Sequence, residues 1–131
     1  MSLQLAVVCH DASISESGNL SCDTIFRHIS TGAFPHVHPR MVMACSFDIN
    51  LANKLEPVHI WADLIDADGR VLARVVNYRC LMAGMWGNPN TFSFTVEMLN
   101  LTFPKPGDYR FSIFIEGAIA AELGLTLGLM G

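Results

Sequence analysis

A stretch near the carboxyl end of the chain places the strictest limit on its fold. Residues 103–117 read Phe-Pro-Lys-Pro-Gly-Asp-Tyr-Arg-Phe-Ser-Ile-Phe-Ile-Glu-Gly. Proline fixes φ and lacks an N–H, and glycine permits positive φ, so the start of this stretch favours a turn. Apolar side chains then occupy every second position from Tyr109 to Ile115, with Phe114 as the exception on the opposite side. This alternation predicts a half-buried strand, followed by a turn at Glu116-Gly117 into a last strand.

The tyrosine in this stretch has an expected role of its own. In β-sandwiches, a tyrosine at the start of the penultimate strand often hydrogen-bonds back across the preceding corner through its hydroxyl. Tyr109 follows the Pro-Gly turn at the matching distance. We therefore predict that residues 103–117 close a sandwich and that Tyr109 stabilises the corner.

Alternation of apolar and polar residues continues along most of the chain. No window keeps apolar residues at spacings of three and four for three turns, so helices are not predicted. The Asp-Gly pair at residues 68–69 is the strongest hairpin signal, because it readily adopts the positive φ that tight hairpin turns need. Residues 31–40 contain a glycine and two prolines and are predicted to form a loop. Strands are predicted at residues 3–9, 20–29, 41–49, 58–65, 70–76, 92–98, 109–115 and 118–129.

About eight strands separated by turns predict an all-β fold. We expect a single antiparallel β-sandwich of the immunoglobulin-like or Greek-key type, with a closed barrel as the second choice. The strand at residues 58–65 carries apolar residues on both sides, with Trp61 opposite Ile60 and Leu64, so both of its faces are expected to be covered. No repeat or linker divides the chain, and at 131 residues it is expected to be one domain spanning residues 1–131.

The amino-acid composition indicates which kinds of partner the protein can have. Hydrophobic residues make up 51% of the chain and charged residues only 15%, against about 25% charged in an average soluble domain. This balance is typical of a homo-oligomer, although a thick core between two sheets explains the same numbers. The net charge is −4, and Lys and Arg form no cluster. Because binding to a nucleic-acid backbone needs a basic surface, no nucleic-acid partner is expected. No apolar run approaches the roughly 18 residues that span a bilayer, so no membrane partner is expected.

Targeting and cysteine patterns indicate the compartment. The first residues lack the basic region of a secretory signal, and the apolar run ends at His10. The four cysteines contain no Cys-x-x-Cys pair, so free thiols in a reducing compartment are expected. Both observations predict a cytoplasmic protein.

Three motifs resemble a family of small, mainly bacterial proteins that is known only as a domain of unknown function. They are the Phe-Pro-x-x-His-Pro-Arg loop at residues 34–40, the hairpin from Asp66 to Ala73, and the Pro-x-Pro-Gly-x-Tyr-x-Phe element at residues 104–111. Their order and spacing match along most of the chain. The resemblance implies an all-β domain and brings no activity, substrate or catalytic residue.

His36 and His38 are the strongest candidate metal ligands. Histidines two apart in an extended segment project to the same side, which is how β-scaffolds present imidazoles to a metal. A third ligand would have to come from His10, His28, His59 or a carboxylate. The alternative is a loop in which both histidines bond backbone groups and pack between prolines. Arg40, two residues further on, is a candidate anchor for a carboxylate or phosphate.

The sequence contains little that indicates an enzyme. Cys9-His10-Asp11 contains the residue types of a thiol enzyme, but neighbours in a strand point to opposite faces, so Cys9 and His10 could not pair. No nucleophile elbow and no Gly-rich phosphate loop occur. We therefore assign no catalytic residue and no cofactor, and favour a protein that is not an enzyme.

The leading functional prediction is protein–protein contact, with self-association. The irregular segment at residues 80–90 contains methionines and a tryptophan, which are residue types enriched in interfaces. The last strand alternates leucine with small residues and could pair with another chain. The candidate interface residues are Met82, Met85, Trp86, Leu125 and Leu127. The alternative function is a small-molecule or metal-binding domain built on His36, His38 and Arg40.

Overall fold

The computed structural model describes residues 2–48, 57–80 and 91–130, and over these ranges the chain forms nine strands and no helix. Accordingly, no helix within them is long and apolar enough to cross a membrane. The strands are β1 (Ser2–Ile14), β2 (Leu20–Ile25), β3 (His28–Thr31), β4 (His36–Asp48), β5 (Val58–Ile65), β6 (Val71–Cys80), β7 (Thr91–Phe103), β8 (Gly107–Ile115) and β9 (Ala118–Leu129).

The strands form two sheets whose inner faces pack together. One sheet has four strands in the order β2-β1-β4-β7, and the other has five in the order β3-β9-β8-β5-β6. Every second residue of the long strands points into the space between them, as the alternation requires. The prediction of an all-β sandwich of two sheets is therefore confirmed. The largest fully buried side chains are Phe47, Phe103, Phe111, Met41, Met43, Ile60, Leu64, Ile113, Leu125, Leu127 and Cys9.

The corner before β8 is built as its sequence predicts. The hydroxyl of Tyr109 donates to the carbonyl oxygen of Lys105 at 2.6 Å and accepts from the Lys105 N–H at 3.3 Å. The ring of Tyr109 packs edge-on against Phe103, with centroids 5.1 Å apart. At the other end of β8, Glu116 and Gly117 have φ of 50° and 88°, the two positive values of a tight hairpin turn. Between the corner and this turn, β8 pairs with β9 along the whole length of β8.

The predicted hairpin at residues 66–70 is also present. The carboxylate of Asp66 accepts hydrogen bonds from the N–H groups of Asp68 at 3.0 Å and Arg70 at 2.9 Å. Gly69 has a φ of 83°, which a residue without a side chain adopts most readily. The turn therefore connects β5 to its antiparallel neighbour β6.

The first departure from the predicted strands lies at residues 20–29. The predicted strand at residues 20–29 is two strands in different sheets, which raises the count to nine. The N–H of Phe26 donates to Val8 of the first sheet, while the carbonyl of Arg27 accepts from Thr126 of the second. The chain thus crosses between the sheets within two residues. Because β3 then runs parallel to β9, the fold is not antiparallel throughout.

The predicted loop at residues 31–40 is shorter than expected. Strand β4 begins at His36, so the His-x-His segment is part of a strand paired with the end of β7. Ladder bonds to a neighbouring strand override the local effect of Pro39, since proline is tolerated where its nitrogen has no ladder partner.

Candidate functional site

His36 and His38 lie side by side at one end of the sandwich. The Nε2 atom of His36 is 3.1 Å from the Nδ1 atom of His38, which is a hydrogen-bonding distance. His36 stacks on Phe103, and His38 lies against Phe26, with centroids 6.5 Å and 6.1 Å apart. The two imidazoles therefore share one face of the chain, as their spacing predicts, and bond each other.

Among the residues that the structure describes, no third ligand is grouped with this pair. His28 contacts Ser30 at 2.9 Å, and His59 contacts Asn77 at 2.7 Å on the outer side of the five-stranded sheet. Within residues 2–48, 57–80 and 91–130, no three His, Cys, Asp or Glu side chains are grouped so that they could hold a metal ion. Two imidazoles are fewer than the three protein ligands of catalytic zinc sites and the four of structural ones.

The surroundings of His38 favour its neutral form. Burial lowers the pKa of His38 below its usual value, and the neighbouring His36 and His10 lower it further. Protonation of His38 would place a positive charge in a half-buried position, where burial disfavours the charged form.

Acidification is therefore expected to destabilise the protein through His38. Above about pH 6.5 the imidazole is neutral in both states, and its contribution to the free energy of unfolding is fully present. As the pH falls, the unfolded chain binds the proton first, so stability is lost until the lower folded-state pKa is passed. Urea unfolding of the wild type and His38→Asn at about pH 7.5 and about pH 5.5 measures this. An equally large loss of stability in the variant would contradict it.

Arg40 is already bound by the chain's own acidic residues. Its Nε atom donates to Glu97 at 2.7 Å, one terminal nitrogen donates to Asp11 at 3.0 Å, and the other to the His10 carbonyl at 2.7 Å. The bonds to Glu97 and Asp11 raise the pKa of Arg40. The guanidinium of Arg40 therefore connects β4 to β1 and β7. Each of its three nitrogens already donates a hydrogen bond within the chain, so the group is not arranged to bind an anion.

The Cys9-His10-Asp11 segment does not form a thiol site. Cys9 is fully buried, and burial with the neighbouring Cys22 raises its pKa to about 11. His10 packs on Phe26 with centroids 5.1 Å apart, and Asp11 binds Arg40. A thiol held in its protonated form, with the histidine and the carboxylate engaged elsewhere, is a poor nucleophile.

The predicted interface residues have two different placements. Met82, Met85 and Trp86 lie outside the described residues. Leu125 and Leu127 are 2% and 1% exposed and belong to the core between the sheets. Their side chains lie on the same side of the sheet as Tyr109, which pairs with Leu125 and points inward. Leu125 and Leu127 are thus packed within the chain and are not available to a partner.

A different apolar surface lies on the outer side of the five-stranded sheet. The register places Ile119, Phe114, Trp61 and Asn77 in one row across β9, β8, β5 and β6. The rings of Trp61 and Phe114 stack with centroids 5.1 Å apart at 11°. Ile119 is 58% exposed. We call this row of three apolar side chains, together with His59 beside Trp61, the aromatic face.

The aromatic face is unusual in its position. The outer side of an antiparallel sheet in a sandwich is normally solvated and polar. Every described strand belongs to one of the two sheets, so none of them forms a third layer over the face. Among the described residues, the outer side of Trp61 is covered by its neighbours in the sheet, namely Phe114, His59 and Arg74. The sequence signal was available, because Phe114 is the one break in the alternation of β8.

Hydrogen bonds and a cation hold the aromatic face in place. The Nε atom of Arg74 donates to Asp63 at 2.9 Å, and its guanidinium carbon lies 5.6 Å from the centre of the Trp61 ring. His59 lies 4.7 Å from the same ring, and its backbone N–H donates to the Glu116 carboxylate at 2.6 Å. These contacts fix the orientations of Trp61 and His59 on the surface of the sheet.

Two cavities lie at the sides of the sandwich. One of about 120 Å³ lies between β1 and β9 beside Phe26, and one of about 220 Å³ lies between β6 and β7 beside Leu99. Both are smaller than the roughly 300–1,000 Å³ of drug-sized ligand pockets. A flat face with aromatic side chains suits a protein surface better than a small molecule.

Fold and face together define a β-sandwich of two sheets that carries an apolar row on one outer surface. Residues 4–128 match a family described as a family of unknown function (DUF6941). The match covers nearly the whole chain, so this protein belongs to that family. The resemblance in the sequence to a family of unknown function is confirmed.

Other comparisons concern the fold alone. No curated protein matches the chain. Among solved structures, an immunoglobulin-like protein from Pseudomonas aeruginosa has a TM-score of 0.41 and 11% identity, over 96% of this chain and 94% of that one. The alkylpurine DNA glycosylase AlkC of Pseudomonas fluorescens, bound to DNA containing an abasic site analog, has a TM-score of 0.43 and 11% identity. That likeness covers 94% of this chain and only 30% of the glycosylase chain.

Proposed function

We propose that this protein is a non-enzymatic β-sandwich that acts by protein–protein contact through the aromatic face. The observation that carries the proposal is the row of Ile119, Phe114 and Trp61 on a sheet surface that alternation would make polar. Tryptophan and other aromatic residues are enriched at the energetic centres of interfaces.

The surroundings of the row support the same function. Polar and charged side chains flank it on both sides, with Arg74 and Asp63 along the strands in one direction and Glu116 in the other. An apolar centre with a polar rim is the usual arrangement of a protein interface. The alternative function at His36, His38 and Arg40 has less support, since the described residues supply no third ligand and Arg40 is engaged by two carboxylates.

A cytoplasmic location is part of the proposal. The described cysteines Cys9, Cys22 and Cys45 are free thiols. Free thiols persist in reducing compartments, where disulfides are rare.

Site-specific photo-crosslinking tests the proposed function. A benzophenone amino acid replaces Ile119 in cells that express the protein naturally, and adducts are identified by mass spectrometry. The matched control carries the same group at Leu99, which is 56% exposed on the other sheet. We expect a defined protein adduct at position 119 that is lost in a Trp61→Ala background, and none at position 99. Absence of any adduct at position 119, or equal adducts at both positions, would refute the proposal.

A further inference from the structure

The charges around the aromatic face are distributed unevenly across the sheet. In the row at Asp63, the register places Arg74 on β6 and Glu122 on β9. In the row at His59, Arg79 lies on β6, and Glu116 lies on the opposite side of His59 at the end of β8. Arg74 and Arg79 thus lie on β6 at one margin of the apolar row, and Glu116 and Glu122 lie toward the β9 margin. Two further charges lie between the margins: Asp63 of β5 pairs with Arg74, and Arg110 of β8 lies beside Glu122.

This distribution is complementary to itself under one rotation. A two-fold axis that lies in the interface, parallel to the strands and between β5 and β8, places β6 of one copy over β9 of the other. Each row keeps its height, so Arg74 faces Glu122 of the second copy and Trp61 faces Phe114 of the second copy. Arg79 of one copy comes to the margin of the interface where Glu116 of the second copy lies. Such an interface uses one patch on both subunits and closes as a dimer.

We infer that the partner of the aromatic face is a second copy of this chain, docked face to face about a two-fold axis parallel to the strands. The inference rests on the proposed function of this face. Within one copy, Glu122 lies 3.8 Å from Arg110, which is longer than a hydrogen bond. Its carboxylate can therefore accept directly from Arg74 of the second copy.

The size of the face sets the expected strength. Four strands about 4.8 Å apart, each contributing about eight residues of about 3.3 Å, give roughly 500 Å² per copy. Stable interfaces of standard size bury about 800 Å² per partner, and weaker ones less. The dimer is therefore expected to dissociate on dilution.

Sedimentation equilibrium of the purified protein, from about 1 to about 100 μM, tests self-association. We expect a dimer that dissociates in this range. The Ile119→Lys variant should raise the dissociation constant about tenfold or more, because the position occurs twice in the interface. Leu99→Lys, at a position of similar exposure on the other sheet, should change it by less than about twofold. Circular dichroism establishes that both variants are folded.

Crosslinking of the purified protein tests the orientation. With the benzophenone at position 119, we expect an adduct of twice the 14.4 kDa of one chain, mapped to the β6 peptide around Asn77. A crosslink to β9 would indicate an axis across the strands and overturn the inference. A monomer at all concentrations would also overturn it. If the protein is a monomer but the benzophenone at position 119 crosslinks to a different, identified protein in cells, the dimer is refuted and the proposed function stands. If it crosslinks to no protein, both the dimer and the proposed function are refuted.

Discussion

Replacing Phe103 with alanine is expected to lower the free energy of unfolding by about 3–5 kcal/mol, the usual cost of deleting a buried phenylalanine ring. Phe103 is fully buried and connects two parts of the molecule. One face of its ring stacks on His36 of β4, and its partner across the corner is Tyr109. The variant loses the ring's transfer free energy and leaves a cavity between rigid neighbours. Urea unfolding, with the slope compared between the two proteins, measures the change.

Leu99→Ala provides the control for this measurement. It lies on the same strand, but its side chain is 56% exposed, so its truncation should cost no more than about 0.5 kcal/mol. If Phe103→Ala lowered the free energy of unfolding as little as Leu99→Ala, Phe103 would not be packed between His36 and Tyr109 as described.

The second large effect is expected at Arg74. Its partner Asp63 has a side chain only 8% exposed, while that of Arg74 is 51% exposed. Arg74→Ala leaves the Asp63 carboxylate buried without its cation, which is costly because the charge has lost its solvation. We expect a loss of stability larger than that of Leu99→Ala and smaller than that of Phe103→Ala, since water reaches Arg74 and the pair is not fully buried.

A double variant separates the lost ion pair from the stranded charge. In Arg74→Ala with Asp63→Asn, the buried group is neutral, so part of the lost stability should return. Urea unfolding of the wild type, the two single variants and the double variant completes the cycle. If the two single effects simply added, Asp63 would not depend on Arg74 in the folded state.

The strands were predictable to the extent that their alternation was clean. In β4, β5 and β8, apolar residues at every second position point inward as expected, and Asp66 to Gly69 forms the expected turn. The crossing at Phe26 was not predictable, because residues 20–29 contain no glycine or proline to mark it. The bend lies at Arg27, and Thr24 has a φ of 55° without being a glycine.

The candidate site was predictable only in part. Spacing alone put His36 and His38 on one side of the chain, and they contact each other. Spacing could not show that Arg40 is held by Asp11 and Glu97, which are distant in sequence. It also left Leu125 and Leu127 as surface candidates, whereas the face of a strand that is buried depends on the sheet opposite it.

The sequence by itself determined the class of fold, the Pro-Gly corner with its tyrosine, and the Asp-Gly hairpin, because these depend on local backbone preferences and the two-residue period of strands. Tertiary structure alone decided which strands are neighbours, and so which side chains share a surface. The aromatic face is the clearest case. Trp61, Phe114 and Ile119 come from three strands, and only their register places them in one row on an outer surface.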